Sequence, residues 1–481
     1  MMAITAVPGT VLRPPSQSLR GVPRLRQGSR CHKLLHCQAA QSKEAPPRGG
    51  EDFRNWLLEQ GAQVEKVAIS VLEIDGAPPL DVAVAAVDLE PGEVVFSIPD
   101  RLCVTLDGVF QDGDAAEVLT TDKLSELACL ALYLMYEKKN GEESFWYPYI
   151  KELDRERGRG QSGVQSLLLW DKSEVESLLQ GSPVLKQLAE RRRSIEKEYE
   201  ELDTVWFMAR SLFKNYPYDI PTEAFSKELY MQAFAAIQSC VVHLQGVELS
   251  KRFALIPMGP PLVMYKSTTK SMLSYNSDTK AVELKVDRPY KAGEALEAWC
   301  GPQPNSRLLV NYGLVDECNP YDKMQMTVSI PQTDPLFSRK RSILQTAELT
   351  SKTTFNLTEA EPLPPKLLPF MRFALIQDAG KLDSLKFDDM ARPVTPENEA
   401  AAVSMLSTHI RAKLSQYQTT VDKDTRIIDD PHATAKQKIA AKLLRIEKRI
   451  LQGTLAKLEA MGIDTNGSGI ELPKFRPEIL E

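Results

Sequence analysis

One tyrosine in this chain, Tyr312, has a sequence setting in which its phenol could serve chemistry. It ends a run of helix-forming residues and is followed at once by Gly313. Glycine accepts the left-handed conformation that commonly ends a helix, so the helix end can direct the Tyr312 hydroxyl into a cavity. For the residue taken alone, a core tyrosine with a satisfied hydroxyl is the simpler interpretation.

Two strands and a short helix are predicted to position this tyrosine. The strands, 282–286 and 295–299, flank a turn in which Gly293 takes a positive φ. Asn305 is then predicted to cap the helix that leads to Tyr312, because its side chain can accept a hydrogen bond from the first helical turn. The predicted arrangement is a strand-rich core with the tyrosine at one of its corners.

The motifs around Tyr312, and others along the chain, occur in an order that resembles a known family. The family is that of the plant Rubisco large-subunit lysine methyltransferases, which carry a SET domain. The segments that resemble its motifs are W-L-x-x-x-G (56–61), A-x-x-D-L-x-x-G-E (85–93), I-P (98–99), W-Y-P-Y (146–149), K-A-G-E through N-P-Y-D (291–322) and Y-Q-T-T through E-K-R-I-L (417–451).

The resemblance implies an α+β fold in two parts after an amino-terminal segment. A SET-domain β-fold is expected over residues 51–325, with a helical insertion at about 115–225. An all-α domain that resembles the family's substrate-binding domain is expected over 326–475. The helical periodicity of apolar residues in the insertion and near the carboxyl terminus agrees with this expectation.

The resemblance also implies chemistry, namely transfer of a methyl group from S-adenosylmethionine to a protein lysine. Such a site holds the cofactor on one side of a narrow channel and admits the amine from the other side. It must favour the neutral amine by desolvation and orient it with a phenol. The family's tyrosine in Y-G-F corresponds to Tyr312, which is therefore the expected catalytic residue.

Several positions at which the family contacts the cofactor carry other residue types here. They are Leu80 and Val82 at the glycines of a G-x-G turn, Cys240 at an arginine, and Val263 and Met264 at an Asn-His pair. Asn305 remains as the family has it. A buried polar group that loses its hydrogen bond costs roughly 1–3 kcal/mol, and about 1.4 kcal/mol is a factor of ten in affinity. The cofactor site is therefore predicted to be degenerate.

Two functions stay open on this basis. The first is a plastid protein-lysine methyltransferase whose activity is weakened by the altered cofactor positions. The second is a catalytically inactive SET-fold protein that acts as a binding or regulatory module in the stroma. Both predict a stromal protein as substrate or partner.

Composition bears on location and excludes some partners. Residues 1–40 carry six arginines and lysines and no acidic residue, which is typical of a transit peptide and predicts the chloroplast stroma. Its removal takes six positive charges from a formal net charge of −6 and leaves −12. That charge disfavours a broad nucleic-acid surface. No apolar run approaches the ~20 residues of a membrane helix, and histidines are too sparse for a metal site.

Overall fold

The computed structural model describes residues 50–74, 76–112, 124–156, 159–212, 226–383, 385–462 and 479–480. These residues belong to one compact unit, Cys37–Glu481. The predicted transit peptide, residues 1–40, lies outside the described residues, as do residues 113–123 and 213–225 of the predicted insertion.

Twelve strands lie in the described residues. They are β1 (Val67–Ile74), β2 (Ala77–Ala85), β3 (Val94–Pro99), β4 (Val104–Thr105), β5 (Val241–His243), β6 (Phe253–Leu255), β7 (Met264–Lys266), β8 (Met272–Asn276), β9 (Ala281–Lys285), β10 (Glu297–Trp299), β11 (Met324–Ser329) and β12 (Lys352–Leu357).

Fourteen α-helices lie in the same part of the chain. They are α1 (Gly50–Glu59), α2 (Leu106–Gln111), α3 (Glu126–Asn140), α4 (Tyr147–Glu156), α5 (Lys172–Leu178), α6 (Val184–Leu212), α7 (Lys227–Cys240), α8 (Asn305–Tyr312), α9 (Phe337–Thr346), α10 (Leu367–Ala374), α11 (Ala379–Asp383), α12 (Pro396–Ser415), α13 (Val421–Asp429) and α14 (Ala435–Glu459).

The strands form five small sheets that share one core. β1 and β2 make an antiparallel hairpin, β3-β9-β8 and β4-β6-β5 are three-stranded antiparallel sheets, and β7 and β10 pair in parallel. Isolated β-bridges add further pairing between segments, for example between Val84 of β2 and Ala295 just before β10, and between Leu89 and Tyr290. β-branched and other apolar residues fill the strands, as a half-buried pleated surface favours. The predicted strands before and after Gly293 correspond to β9 and β10, and Gly293 has a φ of 84°.

The helical insertion lies between β4 and β5, and its helices are α3 to α7. Its first helix begins at a serine cap, since the Ser125 hydroxyl accepts a hydrogen bond from the Ala128 N–H at 3.3 Å. α3 and α7 pack closely on each other, and residues such as Leu130, Phe234 and Ile237 are buried. The insertion is therefore anchored in the same core as the strands.

The carboxyl-terminal region is helical, as expected, and also contains one two-stranded ribbon. β11 and β12 pair antiparallel from Met324 with Leu357 to Ser329 with Lys352. Apolar residues of the ribbon pack on the helices, with the Phe355 and Phe370 rings 5.8 Å apart in an edge contact. The ribbon adds strands to a region for which only helices were expected.

Candidate functional site

Tyr312 is the last residue of α8, and Gly313 ends that helix in the left-handed conformation with a φ of 60°. The expectation for this helix end is confirmed. The neighbouring residues Leu308, Leu309 and Val315 are buried, as their apolar character predicts. The tyrosine is thus held by a short helix whose other face is part of the core.

Asn305 does not cap this helix by its side chain, so that prediction is wrong. Pro304 is the cap residue, and Asn305 is the first helical residue. The Asn305 amide nitrogen donates to the Asp316 carbonyl at 2.9 Å and to the Asp322 carboxylate at 2.5 Å, and its oxygen accepts from the Asp316 N–H. These bonds use both donors of the amide, so Asn305 fastens the loop after α8 and leaves no N–H for a ligand.

The Tyr312 ring packs on a second tyrosine. The centroids of the Tyr265 and Tyr312 rings are 4.8 Å apart, and Cys300 and Leu314 belong to the same small apolar cluster. Burial raises the pKa of the Tyr312 phenol, so the hydroxyl is neutral. Its oxygen lies 3.4 Å from the side-chain nitrogen of Gln303. The phenol therefore has one polar neighbour at the edge of an apolar pocket.

A groove with a volume of about 1340 Å³ opens on one side of this tyrosine. We call it the Tyr312 groove. A row of polar side chains follows its wall: Arg191 donates to the Gln238 oxygen at 3.0 Å, and Gln238 donates to the Asn311 oxygen at 2.8 Å. Gln303 lies 3.5 Å from Asn311 and continues the row to Tyr312. The wall is therefore pre-organised by hydrogen bonds between side chains.

On the other side of Tyr312 the space is nearly filled. Leu80 and Val82, at the positions of the family's G-x-G turn, lie in strand β2 and pair with Leu72 and Ser70 of β1. The hairpin turns at Gly76, four residues earlier. Leu80 and Val82 are buried, so their side chains take the space that glycines would leave open.

Met264 supports this filling from the opposite side. It begins β7 and packs against the apolar cluster of Leu72, Val82 and Val84. Its neighbour Val263 is 1% exposed. Neither side chain can donate or accept a conventional hydrogen bond.

Residues 159–163, which we call the 159–163 loop, lie between the hairpin and β7. Arg159 donates to the carbonyls of Pro78 and Pro79 at 3.0 and 3.4 Å. The Gln161 amide pairs with the backbone of Tyr265 twice, accepting from its N–H at 2.6 Å and donating to its carbonyl at 2.8 Å. The loop is thereby tied to both walls of the space.

The loop also touches the end of α8. A Cβ at Gly160 would lie 2.0 Å from the carbonyl oxygen of Tyr312, so only glycine permits this approach. What remains between the loop, Val263, Tyr265 and Tyr312 is a cavity of about 20 Å³. We call this space the closed cleft.

Cys240 ends α7 beside the closed cleft and is 2% exposed. Burial raises the pKa of its thiol to about 11, and its sulfur lies 3.5 Å from the Ser239 hydroxyl. The neutral thiol is therefore a core group. Of the predicted site residues, Tyr312 and Val263 line the closed cleft and Val82 and Met264 pack beside each other, whereas Leu80, Cys240 and Asn305 are buried in contacts of their own.

Comparisons with known proteins support the fold. Residues 331–451 match the family model described as Rubisco LSMT substrate-binding. The SET domain of LSMT, solved with methyl-lysine and AdoHcy, superposes with a TM-score of 0.69 at 20% identity, over 90% of this chain and 95% of that one. The chain has the SET-domain fold. Rubisco LSMT solved with AdoMet superposes on this SET fold equally well, with a TM-score of 0.68.

Relatives by sequence are protein methyltransferases. The chloroplastic fructose-bisphosphate aldolase-lysine N-methyltransferase of Arabidopsis thaliana is 25% identical over 94% of this chain and 91% of its own length. The actin-histidine N-methyltransferase of Homo sapiens is 22% identical over 83% of this chain and 67% of its own length. Both are named for the methylation of protein side chains, one of lysine and one of histidine.

Three residues at the closed cleft were missed by sequence reasoning, and each had a signal. Tyr265 follows Val263-Met264 in the register of the family's N-H-S, so a tyrosine stands where a small residue is expected. Gly160 and Gln161 lie in the segment R-G-Q-S-G, whose two glycines indicate a tight loop. What the sequence could not indicate is that this loop lies against Tyr265 and Tyr312.

Two observations bear on other chemistry. No helix within the described ranges is long and apolar enough to cross a membrane. In that same part of the chain, no group of three or more histidine, cysteine, aspartate or glutamate side chains is arranged to hold a metal ion.

Proposed function

We propose that this SET-fold chain binds a protein segment in the Tyr312 groove and binds S-adenosylmethionine only weakly, so that it acts mainly as a binding protein. S-adenosylmethionine is the cofactor that the solved structures of the same fold support, since one was solved with AdoMet and another with AdoHcy. The observation that carries the proposal is the closed cleft. The volume of the closed cleft is about 20 Å³, whereas pockets that bind small molecules or cofactors have volumes of roughly 300–1,000 Å³.

The chemistry of the cleft walls supports the same conclusion. The residues at the family's cofactor positions do not fit the cofactor as they stand, because Val263 of the cleft wall, and Val82 and Met264 of the neighbouring apolar cluster, offer no hydrogen bonds to its polar groups. To enter, the cofactor must displace the 159–163 loop and break its bonds to Tyr265 and to the hairpin. Each of these bonds contributes roughly 0.5–1.5 kcal/mol to keeping the loop in place.

The open groove supports a protein partner. It remains large while the cleft beside it is closed, and hydrogen bonds between side chains hold its wall in place. The relatives are named for protein substrates, aldolase in one case and actin in the other. A folded partner that inserts an extended segment along Tyr312 fits this shape.

A second candidate function is an efficient protein methyltransferase whose cleft opens on binding. One observation favours it: Tyr312 is retained at the junction of groove and cleft, with its neutral phenol beside Tyr265. In that case the 159–163 loop moves away when S-adenosylmethionine binds, and Tyr312 orients the accepting nitrogen.

Calorimetric titration with S-adenosylmethionine separates the two functions. We expect the unmodified chain to bind with a Kd of about 0.1–1 mM, and we expect no transfer of labelled methyl groups to stromal proteins or to purified fructose-bisphosphate aldolase. Binding near 1 µM, with transfer that Tyr312→Phe abolishes, would establish the methyltransferase instead. Tyr312→Phe removes only a hydroxyl with one neighbour, so the fold should tolerate it.

For location we propose the chloroplast stroma. The arginine-rich and acid-free first 40 residues support a transit peptide, and one relative is named as chloroplastic. The test is fusion of residues 1–40 to a fluorescent reporter in plant cells. Reporter fluorescence in plastids is expected, whereas a reporter that stays in the cytosol contradicts the proposal.

A further inference from the structure

We infer that the partner segment in the Tyr312 groove is acidic, because the groove carries an excess of unpaired positive charge. This inference rests on the proposed binding function of the same groove. Three cationic side chains line the groove: Arg191, Arg307 and Lys323. Among the described residues, none of the three side chains forms an ion pair with a carboxylate.

Arg191 is the most rigid of the three cations. Two nitrogens of its guanidinium donate to the Gln238 oxygen at 3.0 and 3.3 Å, and its carbon lies 5.1 Å from the centroid of the Phe234 ring. Gln238 is neutral, so this contact orients the guanidinium without cancelling its charge. The remaining N–H groups of the fork are suited to a carboxylate.

Arg307 supplies the second charge from the opposite element. It lies on α8, one turn before Asn311, and its side chain is exposed. It is near enough to Arg191 for the two positive charges to repel each other, while the Glu198 carboxylate attracts Arg191 from the side of α6 without forming an ion pair with it. Two guanidinium groups that line one groove without an ion pair disfavour a cationic ligand and favour an anionic one.

Lys323 extends the positive charge towards the carboxyl-terminal region. The carboxylate of the preceding residue, Asp322, is bound by the Asn305 side chain and by two backbone N–H groups, and it forms no ion pair with the Lys323 ammonium. The three cations thus follow the groove from the insertion, past Tyr312, to β11.

Two carboxyl groups also line the groove, and they do not balance these charges. Glu447 is 4% exposed and is held by the hydroxyls of Ser182 and Tyr417. Burial raises its pKa to about 8, so it is largely neutral at pH 7. Glu190 is exposed and is the only other acidic residue lining the groove among the described residues. The groove therefore carries a local excess of positive charge, although the formal net charge of the whole chain is −6.

An acidic protein segment explains the groove better than a nucleic acid does. The cations lie within one groove, whereas a phosphate backbone is bound by a continuous basic surface. The net charge of the chain opposes such a polyanion at longer range. A peptide with two or three carboxylates meets the cations and leaves its apolar side chains for Tyr312 and Trp299.

Fluorescence anisotropy with labelled peptides tests the inference on the full chain. The probes are a short glutamate-rich peptide and two matched peptides in which glutamine or lysine replaces glutamate. We expect the acidic peptide to bind at least about tenfold more tightly than the neutral one. Its affinity should fall as ionic strength rises, because exposed charges are screened.

Matched charge reversals locate the site. Arg307→Glu should weaken the acidic peptide about tenfold or more, whereas Arg341→Glu, on the exposed face of α9 away from the groove, should leave its affinity unchanged. Both substitutions change the net charge equally, and both sites are exposed, so the fold should be unaffected in each. Circular dichroism checks that the variants remain folded.

The outcomes distinguish failure of the inference from failure of the proposed function. If the neutral or lysine peptide binds as tightly as the acidic one and Trp299→Ala abolishes that binding, the groove binds protein but the acidic class is overturned. If no peptide binds, both the inference and the binding function fail. If a single-stranded RNA oligonucleotide binds instead and Arg307→Glu weakens it, the groove is a nucleic-acid site and the inference is overturned.

Discussion

At the scale of single residues, the site differs from the family that the sequence resembles because apolar side chains stand at the positions of the family's Asn-His pair. Val263 lines the closed cleft with Tyr312, and Met264 packs on the neighbouring apolar cluster. Neither side chain carries a conventional hydrogen-bonding group, and Tyr265 fills the next position. These residues stabilise the protein by burying apolar surface, at roughly 25 cal/mol per Å². The same burial removes the polar contacts that a sulfonium cofactor with an amino-acid tail requires.

Placing Asn and His at positions 263 and 264 tests whether the apolar pair favours stability at the expense of cofactor binding. The double substitution Val263→Asn and Met264→His should lower the free energy of unfolding by roughly 1–3 kcal/mol for each polar group left unsatisfied. Urea denaturation measures the loss. S-adenosylmethionine should then raise the melting temperature of the double variant more than that of the unmodified chain.

Val263→Ala is the matched control, because it removes methyl groups without adding a polar atom. It should be destabilised by about 1–2 kcal/mol and should show no response to S-adenosylmethionine beyond that of the unmodified chain. An equal response of both variants would show that the amide and imidazole do not reach the cofactor.

At the scale of elements, the 159–163 loop forms one wall of the closed cleft. It follows α4, whose Arg155 forms an ion pair with Asp81 of β2 at 2.7 Å. The loop is closed on itself by a hydrogen bond from the Gly160 N–H to the Val164 carbonyl at 2.8 Å. Helix, hairpin and loop are thus one assembly, and the closed cleft is a property of that assembly.

Gly160→Ala should open the cleft. The added methyl group would lie 2.0 Å from the backbone oxygen of Tyr312, so the loop must move away from α8. We expect a loss of roughly 1–3 kcal/mol in stability, typical of overpacking, together with tighter binding of S-adenosylmethionine in calorimetry.

Gly453→Ala provides the control for this substitution. Its added methyl group meets Pro362 at 3.7 Å, an ordinary contact inside α14, so stability should be unchanged or rise by about 0.5–1 kcal/mol. S-adenosylmethionine affinity that is unchanged in Gly160→Ala would mean that the loop is not what excludes the cofactor.

At the scale of the whole molecule, one buried carboxyl group joins distant parts of the chain. Glu447 of α14 accepts from the Ser182 hydroxyl of the insertion at 2.8 Å and from Tyr417, after α12, at 3.0 Å. Burial raises its pKa to about 8, with Asp322 acting in the same direction and Lys448 against it. The carboxyl-terminal region is therefore attached to the insertion by a group that titrates near neutral pH.

The stability of the protein should consequently depend on pH. In the folded state Glu447 keeps its proton up to about pH 8, whereas in the unfolded chain it loses the proton near its ordinary pKa of about 4.3. The folded state binds more protons between these values, so this contribution to stability is complete below about pH 4 and is lost as pH rises to about 8. The slope is at most about 1.4 kcal/mol per pH unit.

Glu447→Gln removes the titration and keeps a group that can bond both hydroxyls. Its urea midpoint should change less with pH between 5 and 8 than that of the unmodified chain, and it should be the more stable of the two at pH 8. Glu459→Gln, an exposed change on the same helix, is the control and should retain the full slope. A slope unaffected by Glu447→Gln would refute the assignment.

The sequence alone determined the local features whose causes are local. The helix end at Gly313 and the turn at Gly293 follow from conformational preference, and the helical character of the insertion and of the carboxyl-terminal region follows from periodicity. The motif order predicted the SET fold that the solved neighbours support. The sequence also reveals which cofactor positions have changed residue type, namely Leu80, Val82, Cys240, Val263 and Met264.

Only the tertiary structure decided what those substitutions do. The strand at Leu80 depends on pairing with β1, and the role of Asn305 depends on two aspartates that approach it from later in the chain. The closed cleft depends on Gly160 meeting Tyr312, a contact between residues far apart in sequence. Such contacts arise from packing among elements, and no local preference encodes them.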